Sequence, residues 1–368
     1  MQQRLENEPG EGGRRHLNTR SVIALLSIIG VASGIGIVIS LGQRPPAAHL
    51  VRLPTPTTAP HPITPSPVPL EPQAGNGFSL ADDLATHEIV LFGGVGDYAN
   101  TWLWDGATWT LAHPQVSPGG RFGASEAYDP QTKTVMLFGG RTEPGLPVHD
   151  TWAWNGSTWV PLDSGAGGPQ PGEGSDMAWD SAVMQMVLLT RSGVISDPAE
   201  TWIWAGTHWT RPADAALPAG ASYSPMWFDP ATHSLLAVGC CVGPPPSTGA
   251  TNTTWRWNDG MWTLLATPAH SPVAGSTMAL DPAIDRLVLC SCGEPAVPGT
   301  ALTVWDGTDW AALPAGRLPV TDGTEITDSD RGELLLVGAA QSVAPSGEPP
   351  LEVWRLIGST WSQLGPAE

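Results

Sequence analysis

Lysine is almost missing from this chain: Lys133 is the single one in 368 residues, and Lys plus Arg total 16 against 35 Asp plus Glu. The formal net charge is −19, and from residue 78 onward acids outnumber bases about three to one. A surface of that sign repels phosphate backbones, and no basic stripe interleaved with aromatics occurs, which excludes a nucleic-acid partner. Tyrosine (3) and phenylalanine (5) are scarce, and neither an HExxH zinc signature nor a phosphate loop is present. Cysteine is limited to four residues in two tight pairs, Cys240-Cys241 and Cys290-Ser291-Cys292, which lack the C-x₂-C spacing usual for structural zinc. The sequence therefore calls for no cofactor and no metal.

What is abundant is glycine (43), proline (38) and tryptophan (18). Glycine and proline interrupt long helices and serve turns, so many short strands joined by turns are expected. The tryptophan content argues against disorder for most of the chain.

Residues 21–43, SVIALLSIIGVASGIGIVISLGQ, carry no charge and are long enough to cross roughly 30 Å of hydrocarbon as a helix. A cleaved signal peptide is the alternative, but its apolar region spans only about 7 to 15 residues. Arg14, Arg15 and Arg20 stand before the segment and predict that residues 1–20 stay cytoplasmic as a tail. The rest of the chain is then extracytoplasmic on a single-pass signal-anchor. Residues 44–77 are dense in proline and have no periodic apolar face, which predicts an extended stalk.

Beyond the stalk one phrase recurs: TWLWDGATW from Thr101, TWAWNGSTW from Thr151, TWIWAGTHW from Thr201, TWRWNDGMW from Thr254, TVWDGTDW from Thr303 and VWRLIGSTW from Val353. Its last tryptophans, Trp109, Trp159, Trp209, Trp262, Trp310 and Trp361, lie about 50 residues apart. All but two of the 18 tryptophans belong to it. Asp105-Gly106, Asn155-Gly156, Asp259-Gly260 and Asp306-Gly307 supply the positive φ of a tight two-residue hairpin. Upstream, AYDPQTKTVMLFGG from Ala127 has echoes in every repeat, and its Asp-Pro suits a type I turn between two further strands. Four antiparallel strands repeated six times predict an all-β, six-bladed β-propeller over residues 78–366, a fold that disposes of sheet edges by radial repetition.

A glycine pair ending the second strand (Gly93-Gly94, Gly139-Gly140) and two aromatics a fixed distance further on (Trp104 and Trp109) resemble the kelch repeat. The pattern is also similar to the propeller of the galactose oxidase class. The resemblance covers residues 78–364. Four repeats depart from the glycine pair, with Leu189-Thr190, Gly239-Cys240, Ser291-Cys292 and Gly338-Ala339 in its place, and less regular blades are expected there. The copper site that the oxidase resemblance implies needs two tyrosines, one linked to cysteine, and two histidines. Tyr98, Tyr128 and Tyr223 lie in no matching context, and that activity is not expected.

The tryptophans can be read as a sugar-stacking platform or as blade core. Trp102, Trp104, Trp109, Trp152, Trp154, Trp159, Trp202, Trp204, Trp209, Trp255, Trp257, Trp262, Trp305, Trp310, Trp354 and Trp361 recur at equivalent positions, as blade-on-blade packing requires. They are assigned to the core. Alignment of the repeats puts Cys240 and Cys292 at one register in neighbouring blades, so disulfides between those blades are expected, with Cys240–Cys292 the preferred pair and Cys241 and Cys290 also assigned to disulfides. A four-thiolate zinc site is the alternative.

Long loops fall on the propeller face that joins successive blades, and function is expected there. Its polar candidates for ligand binding are Arg141, Glu143, His149, Asp150 and Arg191. On the innermost strands Glu126 and Glu325 stand where other repeats have Met177, Met226 and Met278, and Asp176 lies one register earlier. Paired carboxylates about 5 to 9.5 Å apart can hydrolyse glycosides. Two functions follow: a non-catalytic binding or scaffold module for a glycan, peptide or protein, or an extracytoplasmic carbohydrate-active enzyme using Glu126, Asp176 and Glu325.

Overall fold

The computed structural model describes residues 71–365 apart from 74, 97, 171–174, 191–198, 214, 216, 218–221, 243–250, 259, 267–276, 291–301, 315–316 and 341–348. The chain divides into two compact units, Met1–Thr64 and Pro65–Glu368, and all described residues belong to the second. The expected membrane span and most of the stalk lie outside them. Among the described residues no helix is long and apolar enough to cross a membrane.

Six four-stranded antiparallel sheets follow one another, each an unbroken meander. The first holds β1 (Ser79–Asp83), β2 (Glu88–Phe92), β3 (Thr101–Trp104) and β4 (Trp109–Leu111). The second holds β5 (Ser125–Asp129), β6 (Thr134–Phe138), β7 (Thr151–Trp154) and β8 (Trp159–Asp163). The third holds β9 (Asp176–Asp180), β10 (Gln185–Thr190), β11 (Glu200–Trp204) and β12 (Trp209–Thr210). The fourth holds β13 (Ser222–Asp229), β14 (Ser234–Val242), β15 (Thr251–Asn258) and β16 (Met261–Ala266). The fifth holds β17 (Thr277–Asp281), β18 (Arg286–Cys290), β19 (Leu302–Trp305) and β20 (Trp310–Leu313). The sixth holds β21 (Val320–Asp328), β22 (Glu333–Ala340), β23 (Leu351–Ile357) and β24 (Thr360–Leu364).

The first strand of each sheet touches the first strand of the next, and β21 returns to touch β1. The ring is therefore a six-bladed propeller. Every blade is made of consecutive strands, so no strand is swapped to close it. Closure uses backbone, side chains and turns: the Leu351 N–H donates to the Pro72 carbonyl at 3.3 Å, Asp82 accepts the Ser329 N–H at 3.0 Å, His87 lies 2.9 Å from Asp330, and the Arg331 guanidinium reaches the Asp105 carbonyl.

An aspartate ends every innermost strand, and its carboxylate accepts a backbone N–H from the following turn. The pairs are Asp83–Ala85, Asp129–Gln131, Asp180–Ala182, Asp229–Ala231, Asp281–Ala283 and Asp328–Arg331. Proline follows in only some blades, so the cap that recurs is the aspartate. The outer hairpins differ by one residue from expectation. Asp105 N–H bonds to the Thr108 carbonyl, which makes Gly106 and Ala107 the central pair, with φ 97° at Gly106. Asp105 instead caps the turn from outside through Ala107 and Thr108 N–H. β15–β16 pairs Asn258 with Met261, and β23–β24 pairs Ile357 with Thr360.

Gly93 has φ 72°, and a Cβ there would sit 2.3 Å from the Arg121 carbonyl oxygen, so the second strand stops at the glycine pair. Of the four blades without that pair, two have a longer second strand, β14 with nine residues and β22 with eight, while β10 has six and β18 five, against five in β2 and β6. These two longer strands carry register shifts, whereas the third and fifth blades, which also lack the pair, pair regularly, and the second, which has it, carries a shift between β7 and β8.

Apolar residues pack between blades in separate clusters. None of the sixteen recurrent tryptophans is exposed, and Trp102, Trp104, Trp154, Trp159, Trp257, Trp305 and Trp310 are fully buried. Within five blades the fixed spacing brings two indoles together, Trp104–Trp109 at 5.3 Å and Trp257–Trp262 at 5.2 Å among them. Cys290 is fully buried and disulfide-bonded. The side chains of Cys240, Cys241 and Cys292, and the expected Cys240–Cys292 pairing with them, lie outside the described residues.

Candidate functional site

Counting back from the capping aspartates, one residue per blade stands at the penultimate position of the inner strand: Asp82, Tyr128, Trp179, Phe228, Leu280 and Thr327. All of them line a cavity of about 280 Å³ at the propeller axis. Its wall also takes in Leu84, Pro130, Ser181 and Ser329 from the first turns, so the cavity sits at the short-turn end. Function was expected at the opposite end, on the long loops. Three inner strands supply aromatic faces because their penultimate residue, one register away from the blade core, is only half covered.

One register deeper most blades carry a small residue, Ala81, Ala127, Ala178 or Ala279, but β13 carries Trp227. This indole packs against clusters belonging to blades four and five, five and six, and six and one. It therefore reaches across the channel. Trp179 and Trp227 are the two tryptophans outside the recurring phrase, and both line the cavity.

The acids do different things. Glu126 lines the cavity, is 9% exposed, and neither carboxyl oxygen has a hydrogen-bond partner among the described residues. Burial pushes its carboxyl well above the ordinary range, against an opposing interaction with the Ser79 hydroxyl of the first blade. Asp82, beside it on β1, is raised to about 6 by burial, against the opposing bond from Ser329. Burial, together with the carboxylates of Asp83, Asp129 and Asp82, also pushes the Tyr128 phenol up.

Asp176 and Glu325 do not line the cavity. Asp176 accepts the N–H of Met177 and, across the blade boundary, that of Met226. Burial outweighs those bonds and raises its carboxyl to about 6. Glu325 accepts the Cys290 N–H at 3.1 Å from the neighbouring blade, while its own N–H donates to Thr277 Oγ1. Both acids staple blades together, and the structure does not gather them with Glu126 in the cavity.

The long-loop candidates are also separate. Asp150 receives both arms of Arg121, at 2.5 and 3.1 Å, and the Trp152 indole N–H at 2.7 Å. Burial would raise the Asp150 carboxyl, but the Arg121 guanidinium wins and the net shift is downward. Arg121 is 1% exposed and also donates to the Gly119 and Gly139 carbonyls. The pair fixes the loop from within. Arg141 donates to the Gly145 carbonyl, His149 Nδ1 lies 3.3 Å from the Pro169 carbonyl, and Glu143 is exposed. Arg191 lies outside the described residues.

Sequence reasoning missed the cavity's aromatic wall and Arg121. The signal for the wall was present: Trp179 and Trp227 break the repeat. No group of three His, Cys, Asp or Glu among the described residues is placed to hold a metal ion.

The fold class defined by this ring, a six-bladed propeller with an axial pocket, has known members. The chain is similar to the fucose-specific lectin from Aleuria aurantia, at 15% identity over 80% of this chain and 97% of that one, with a TM-score of 0.53. A structure of the same lectin is described as a six-bladed β-propeller with a novel fucose recognition mode. It is also similar to SapL1 lectin solved in complex with α-methyl fucoside, at 12% identity over 81% and 99%, TM-score 0.51. A third similar structure is YjhT, at 14% over 80% and 99%, TM-score 0.50. No family model matches the sequence, and no curated protein matches it significantly.

Proposed function

We propose that this chain is a membrane-anchored, extracytoplasmic, kelch-like propeller that acts as a non-catalytic glycan-binding module, with the axial cavity as its site. The observation that carries the reading is the cavity wall. Trp179, Tyr128 and Phe228 project from consecutive inner strands around a pocket that also holds Trp227 and two carboxyls. Flat aromatic faces beside a few polar groups suit the apolar face and hydroxyls of a sugar ring. The similarity to lectins whose structures hold fucosides supports a carbohydrate ligand. Membrane anchorage rests on residues 21–43, and the kelch-like assignment on the glycine and tryptophan spacing.

The glycosidase reading loses support because Asp176 and Glu325 are engaged by backbone amides of adjacent blades. A glycan array probed with the full-length chain tests the proposal. Retention of a defined glycan class, abolished in Trp179→Ala, is expected; no retention of any glycan contradicts it.

A further inference from the structure

The charge around the cavity points to the kind of sugar it takes. All six inner strands lack Lys, Arg and His. Facing β5 are Asp82 and Asp83 from β1 and Asp176 and Asp180 from β9, while β6 brings no titratable group. β5 itself adds Tyr128 and Asp129. No cation lines the cavity among its described residues. Asp82 and Glu126 are the ionisable acids of the wall itself, and a low-dielectric pocket carrying charge of one sign concentrates ligands of the other.

Glu126 sits in that field nine-tenths buried and lining the cavity; the Ser79 hydroxyl is near enough to oppose its shift, but neither carboxyl oxygen has a partner at hydrogen-bond distance among the described residues. Buried carboxyls are ordinarily hydrogen-bonded, because leaving one without a donor is costly. Resting on the glycan reading, we infer that the cavity takes a glycan with a free amine, its ammonium donating to Glu126 and its ring lying on the aromatic wall. Aromatic faces attract a cation as well as a sugar face, so Trp179 and Trp227 suit both parts of such a ligand. A metal ion is a poor fit, since no group of three ligating side chains is placed to hold one among the described residues and the wall is largely aromatic.

Titration calorimetry of the full-length chain in neutral detergent, near neutral pH, tests this with three probes. They are a β-1,4-linked glucosamine tetramer, the corresponding N-acetylglucosamine tetramer and a tetralysine peptide. The glucosamine tetramer is expected to bind about tenfold or more tighter than the acetylated one. Glu126→Gln is expected to erase that preference without lowering Tm. If E126Q misfolds, the comparison of the two sugars on wild type still decides. Equal affinity for both sugars overturns the amine and leaves the glycan reading standing. Tetralysine binding without either sugar overturns both, as does binding of none of the three.

Discussion

Trp159, opening the last strand of the second blade, donates its indole N–H to Thr101 Oγ1 in the first blade at 2.9 Å. The bond recurs from Trp209 to Thr151, Trp262 to Thr201 and Trp310 to Thr254. Each time a tryptophan reaches back to a threonine of the third strand of the preceding blade, three residues before that strand's own inner tryptophan. The fifth and sixth blades have Leu302 and Val353 at that position, and the indole N–H groups that would use it, those of Trp361 and Trp109, have no partner among the described residues.

This rule predicts opposite effects for two isosteric exchanges. Thr101→Val strands the Trp159 N–H inside a blade interface and should cost about 1–2 kcal/mol. Val353→Thr gives Trp109 an acceptor and should raise stability by about 0.5–1 kcal/mol. Urea denaturation of both variants beside wild type checks the signs. A destabilised V353T would mean that the recurrence reflects packing alone.

Stability should rise on acidification from pH 7.5 to about 5. Asp82 and Asp176 have folded values of about 6 against 3.8 for the free side chain, and burial raises Glu126 and Glu325 as well. A raised carboxyl binds its proton more tightly when folded. Its contribution is complete below the unfolded value and is lost as pH climbs through the folded one. For Asp82 and Asp176 the effect is at most about 3 kcal/mol each. Below about pH 4 the trend reverses, because Asp150 is shifted downward and its pairing with Arg121 fails as it protonates. Melting curves from pH 4.5 to 8 should show Tm falling with rising pH, less steeply in Glu126→Gln.

Asp150→Ala leaves the Arg121 guanidinium buried without its counter-ion and should destabilise by about 3 kcal/mol or more. Glu143→Ala, on the same loop but exposed, should change stability by less than about 0.5 kcal/mol. Thermal denaturation separates the two. Equal tolerance of both would return Asp150 to the list of free surface groups.

The repeat was legible because each blade buries the same face on its neighbour, so Trp104 and Trp109 recur with fixed spacing. The site was less legible for the same reason: a ligand needs one cavity, and its residues need not repeat. Trp179 and Trp227 carried the clue by standing outside the phrase. Glu126 was visible as an acid among methionines, but Asp176 and Glu325 looked equivalent to it. Only the contacts separate them, since two of the three meet backbone amides across a blade boundary. Arg121 gave no sign, because nothing in a loop sequence marks a cation that folds inward.

Membrane anchorage predicts fractionation. The full chain should stay in the pellet after alkaline carbonate extraction, and deletion of residues 21–43 should release it. Release of the intact chain would refute the anchor.

The most direct measurement is the affinity of wild type and Trp179→Ala for the glycan that the array selects, made on the full-length chain with Tm recorded for both. Base-rate stacking losses place the expected weakening at about tenfold or more with Tm little changed, since Trp179 is only half covered. Unaltered affinity in a folded Trp179→Ala chain would contradict the assignment of the axial cavity as the binding site.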